Sequence, residues 1–77
     1  PLHFFKENDM TPEQFKAARR ALGYSQKALA DEWGMGDNGD RTIRRWESGS
    51  RPLNPVAAYA ICCMTELLQN YLQDDSR

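Results

Sequence analysis

Ser25-Gln26-Lys27-Ala28-Leu29-Ala30-Asp31-Glu32-Trp33-Gly34-Met35, followed after six intervening residues by Thr42-Ile43-Arg44-Arg45-Trp46-Glu47-Ser48-Gly49, is the stretch that decides the fold. Ser25 is of the residue types that start helices, because its hydroxyl can accept from an otherwise orphaned backbone N–H. Leu29, Ala30 and Trp33 recur as an apolar stripe and Gly34 supplies a left-handed stop, so the spacing predicts a helix over 26–33. Residues 34–40 hold three glycines and three cap-type residues and read as a turn. A further helix is expected over roughly 40–47, ended by Gly49. Ile43 and Trp46 share one of its faces, while Arg41, Arg44, Arg45 and Ser48 recur at i, i+3, i+4 and i+7 on another. One face packs and the other is cationic.

Upstream, Thr11-Pro12-Glu13-Gln14 combines a cap hydroxyl, a first-turn proline and a glutamine three residues after the cap. With Phe15, Ala18 and Leu22 as its apolar positions and Gly23 as its stop, it predicts a first helix over 12–22. Downstream, Asn54-Pro55 pairs a cap with a first-turn proline and opens a fourth helix, 55 to about 72. That helix is apolar on two sides. Val56, Tyr59, Ala60, Cys63, Leu67 and Tyr71 form one stripe; Ile61, Met64, Leu68 and Leu72 form a second, and so small a domain covers only one of them. The second stripe is therefore assigned to a dimer interface with a twin chain. Residues 1–10, with Leu2, Phe4 and Phe5 but no helical period, are read as an N-terminal arm, and 11–77 as one domain.

Composition narrows the function. A chain of 77 residues has room for one domain and a thin core, which excludes most enzymes and favours an oligomer. With 40% hydrophobic and 27% charged residues it is a folding sequence, not a disordered tail. The net charge of -1 nominates no polyanion, yet residues 41–51 carry Arg41, Arg44, Arg45 and Arg51 against Glu47 alone. Cys62 and Cys63 are adjacent and have no third cysteine to pair with, which fits a reducing compartment. His3 stands alone, so no metal-ligand spacing exists and neither metal nor cofactor is expected. The longest apolar run, 56–64, is too short to span a membrane and no leader is visible, so a cytoplasmic location is expected.

Two short helices about a glycine-containing turn, the second offering arginines away from its packed face, suit a DNA major groove. Residues 11–55 resemble the Cro/CI-type, lambda-repressor-like (XRE-family) helix-turn-helix family. Ser25-Gln26-x-x-Leu29-Ala30-x-x-x-Gly34-Met35 is similar to its second helix and turn, and Thr42-Ile43-x-Arg45-Trp46-Glu47-x-Gly49 to its third. The six residues between Met35 and Thr42 exceed the family's usual turn of about three.

The resemblance implies an all-α bundle of four to five helices that binds a double-stranded operator. It implies that Gln26 and Ser48 meet phosphate oxygens, with the helix start at Ser25 attracting the anion. It further implies that Asp40, Arg41, Arg44 and Arg45 face base edges, and that Arg19 bridges to Glu47 within the fold. A guanidinium can donate twice to guanine O6 and N7, so Arg41 and Arg45 are assigned to guanines. Arg44 reads a base or a flanking phosphate; Lys27 and Arg51 are assigned to phosphates, and Asp40 is a base reader or simply a helix cap. Arginines on a helix face are most often solvated surface, and here the surrounding motif argues otherwise. Trp33 and Trp46 fall on apolar stripes and are read as core. The expected function is a dimeric transcriptional regulator, a repressor acting at an inverted repeat. The alternative is an antitoxin or interaction module binding a protein partner through the fourth helix. No nucleophile-base set, carboxylate pair or phosphate loop supports an enzyme.

Overall fold

In the computed structural model, which describes residues 10–75 and side chains as far as residue 72, the first helix, α1 (Pro12–Ala21), starts where the capping signal stands. The Thr11 hydroxyl accepts from the Gln14 N–H at 3.0 Å, and the Gln14 amide oxygen accepts from the Thr11 N–H at 2.9 Å. The two orphan donors satisfy each other. Helix α2 (Gln26–Glu32) begins with Ser25 Oγ accepting from Ala28 N–H at 3.0 Å. It ends one residue before the expected boundary, because Trp33 leaves helical geometry at φ -89° and ψ 0° and Gly34 follows at φ +66°.

Helix α3 (Gly39–Ser48) starts a residue earlier than Asp40, and for a reason outside the local sequence. A Cβ on Gly39 would lie 2.5 Å from Met35 Cβ and 2.8 Å from Ala30 Cβ. The α2–α3 approach is thus set by a missing side chain. Asn38 occupies the cap position without a side-chain cap hydrogen bond. Asp40 is not the cap; it sits inside the first turn, where its charge still favours the helix dipole. Gly49, at φ +83°, closes the helix as expected.

Phe15, Leu29, Ile43 and Ile61 are the large side chains at the centre of the core, joined by Met10, Ala30, Trp46, Ala57 and Ala58. Each fully buried side chain of this size stabilises the fold by about 1.5–3 kcal/mol. Phe15 meets Trp33 and Trp46 edge-on, with ring centroids 6.3 and 5.9 Å away. Trp46 is buried; Trp33 only half, so it closes the core's edge.

Helix α4 (Pro55–Asp75) opens with Asn54 Oδ1 accepting from Val56 N–H at 2.8 Å. Of its two apolar stripes, the one assigned to a dimer interface is partly taken up by the monomer core. Ile61 has no exposed surface and belongs to the monomer core, with Met64 packed against it and Leu68 half-buried. Ile61 is therefore not free for a dimer seam, whereas Met64 and Leu68 keep part of their surface and Leu72 is exposed. The outward stripe is the other one, carrying Val56, Tyr59, Leu67 and Tyr71. Both stripes are apolar enough to be core, so only tertiary packing decides between them. Residues 1–9 of the assigned arm, including His3, Phe4 and Phe5, lie outside the described residues, while Met10 is buried. Among the described residues no helix is long and apolar enough to cross a membrane, and no three His, Cys, Asp or Glu side chains cluster to hold a metal.

Candidate nucleic-acid interface

Burial of Ile43 and Trp46 fixes which way α3 faces, and the opposite side presents Arg41, Arg44 and Arg45 exposed. Arg41 and Arg45 are one turn apart on a single ridge. Among the described residues neither has a carboxylate partner. Arg44 does: its Nη2 lies 3.5 Å from Asp40 Oδ2, an i,i+4 surface pair of about 0.3–0.5 kcal/mol that leaves both groups able to turn elsewhere. The sequence placed Asp40 among base readers or caps; the structure gives it to Arg44.

Beneath the ridge is an anchor that keeps α3 in place. Arg19 donates from Nε to Glu47 Oε2 at 2.7 Å, from Nη2 to Glu47 Oε1 at 3.0 Å, and from Nη1 to the Tyr24 carbonyl at 2.8 Å. The side chains are 8% and 4% exposed, so the pair is dry and bidentate. Gln26 joins it, donating from Nε2 to Glu47 Oε1 at 3.0 Å. One carboxylate at the end of α3 thereby ties down α1 and the first residue of α2, while Arg19 itself holds the loop between them. Sequence reading found Arg19 and Glu47 together but missed Gln26, whose amide is engaged inside the protein and retains one N–H and its oxygen.

The other assigned phosphate residues are scattered around the ridge. Ser25 uses its hydroxyl as the α2 cap. Ser48 Oγ donates to the Arg45 carbonyl at 3.2 Å and lies 3.2 Å from Ser50 Oγ, so it finishes α3. Arg51 N–H donates to the same carbonyl at 3.3 Å, which brings its exposed side chain back to the end of the ridge. Lys27 is exposed on α2, 3.7 Å from Asp31. The surface formed by α2, its turn and α3 can meet a polyanion along its rim and base edges at its centre.

Residues 15–66 match the helix-turn-helix family. The chain belongs to that family, of the Cro/CI type. Its helix-turn-helix is α2, the turn and α3, and α1 and α4 are the struts on which that DNA-binding unit rests. The chain is 62% identical over 52 residues to the Type II methyltransferase M1.ScrFI of Lactococcus lactis subsp. cremoris, covering 68% of this chain and 13% of that protein. It is 39% identical over 51 residues to the transcriptional repressor protein KorC of Escherichia coli, covering 66% of this chain and 59% of that protein. It thus spans a small part of the first relative and less than two thirds of the second. No solved structure matches.

Proposed function

We propose that this helix-turn-helix protein is a sequence-specific, double-stranded-DNA-binding transcriptional regulator, a repressor acting as a homodimer at an inverted repeat. The observation that carries the reading is the Arg41–Arg45 ridge, exposed, without a carboxylate partner among the described residues, and backed by a buried anchor. Arg41 and Arg45 donate to guanine edges, Arg44 to a base or phosphate, and Lys27, Gln26, Ser48 and Arg51 set register on the phosphates. Repression is steric: a promoter covered by protein excludes polymerase. The similarity to a transcriptional repressor supports this reading, and the methyltransferase match, at 13% of that enzyme, suggests a shared DNA-binding segment rather than shared catalysis. No cofactor is invoked, and the work is done in the cytoplasm.

Selection of bound duplexes from a random pool at stated salt tests the proposal. The expected product is an inverted repeat with half-sites about one helical turn, near 34 Å, apart. A pool that stays random contradicts base reading, and a lone asymmetric half-site contradicts the dimer. The exposed stripe of α4 favours a second reading, an antitoxin-like module whose partner is another protein. A chain that stays monomeric in sedimentation and selects no DNA would favour it.

A further inference from the structure

The outward stripe of α4 is apolar from end to end: Val56 is 73% exposed, Leu67 68% and Tyr71 68%, with Ala60 and Cys63 between them. Glu66 is the only charged residue from 55 to 73, so a second copy of this face brings little like-charge repulsion. At the N-terminal end of the stripe an open groove of about 350 Å³ lies between Trp33, Met35, Trp46, Asn54, Val56 and Ala60. Val56 and Ala60 belong to both features, so stripe and groove are one continuous surface.

We infer that this surface is covered by a second copy of the chain, with the two α4 helices antiparallel and Tyr71 of each copy closing the groove of the other. The inference rests on the dimeric reading above and deepens it. Val56 and Tyr71, and Ala60 and Leu67, are equally far from a centre between Cys63 and Met64, so an antiparallel pair sets each large residue against a small one or against the groove. A parallel pair sets Ala60 on Ala60 and Tyr71 on Tyr71, leaving a void at one end and crowding at the other. At about 100° per residue, Tyr71 and Ala60 fall on the same flank of the stripe, and a two-fold axis across the helices carries Tyr71 to the groove's side. Asn54, whose Oδ1 caps α4, keeps its amide donors for the tyrosine hydroxyl at the groove's rim.

Sedimentation of the full chain and thiol crosslinking test it together. With Cys62→Ser and Cys63→Ala removing the native thiols, a mixture of Ala60→Cys and Leu67→Cys chains should crosslink between copies on adding diamide. Two thiols then close to one disulfide while diamide takes up the two electrons and two protons. With Cys62→Ser alone, Cys63 should crosslink to its own copy across the axis. Leu67→Glu should raise the dimer dissociation constant about a hundredfold and Tyr71→Ala about tenfold, with helical circular dichroism unchanged, since both sites are exposed. A dimer that survives Leu67→Glu, or that crosslinks Ala60→Cys to itself in preference to Leu67→Cys, overturns this seam but leaves the dimeric regulator standing. A wild-type chain that is monomeric at every concentration and also monomeric on its selected DNA overturns both.

Discussion

Arg19 and Arg45 carry the same guanidinium and do opposite work. Arg19 is enclosed, with its donors turned inward onto Glu47 and the Tyr24 carbonyl. Arg45 is exposed on α3, one helix face away from buried Trp46, and among the described residues its guanidinium has no carboxylate partner. The difference is one of position on a helix, not of chemistry. A basic residue with its donors satisfied holds the fold; one with its donors left to water is available to an outside acceptor.

The sharpest way to break this comparison is at Arg19. Arg19→Ala leaves Glu47 buried without its counter-charge, so denaturant titration should show a loss of about 3–5 kcal/mol. Arg19→Met combined with Glu47→Leu should restore most of it, since an apolar pair strands no charge. An Arg19→Ala chain as stable as the wild type would place Arg19 with the surface arginines. Gly39→Ala comes next: the added methyl meets Met35 and Ala30, and the same titration should show a loss of about 1–3 kcal/mol. Were it neutral, the α2–α3 spacing would not depend on that close approach.

How much of this was legible in the sequence follows from the range of each signal. Caps and stops act within one turn, so Thr11, Ser25, Asn54 and Gly49 announced the helix ends, and the lambda-repressor-like motif joined Arg19 to Glu47. Contacts across the fold left weaker traces. The start of α3 was displaced because Asp40 looks like a cap, whereas the close packing of Gly39 on Ala30 sets the boundary. Ile61 was placed on the outer stripe of α4 because it differs little in hydropathy from Val56, Leu67 and Tyr71; only the position of α1 against α4 decides which of them is buried. Gln26 gave no sign of Glu47, although polar residues that face each other at a helix start and a helix end could have been paired on geometric grounds.

Smaller effects sharpen the outer half of the comparison. Arg51→Ala should weaken all duplexes alike and lower the slope of log affinity against log salt by about one, the mark of a lost phosphate contact. A loss confined to the selected site would make Arg51 a base reader. Asp40→Asn should change stability by only about 0.3–0.5 kcal/mol in thermal melts, while releasing Arg44 and slightly strengthening binding to every duplex. A larger loss would mean that the Asp40–Arg44 pair supports the helix rather than merely lying on it.

The central claim is that the α3 ridge reads bases, and its most direct test is the ratio of affinities for the selected site and for a scrambled duplex, measured at several salt concentrations. Arg41→Ala and Arg45→Ala should each shrink that ratio by about 1–3 kcal/mol with thermal stability unchanged. Equal losses on both duplexes, leaving the ratio intact, would reduce the ridge to a phosphate contact and contradict the account.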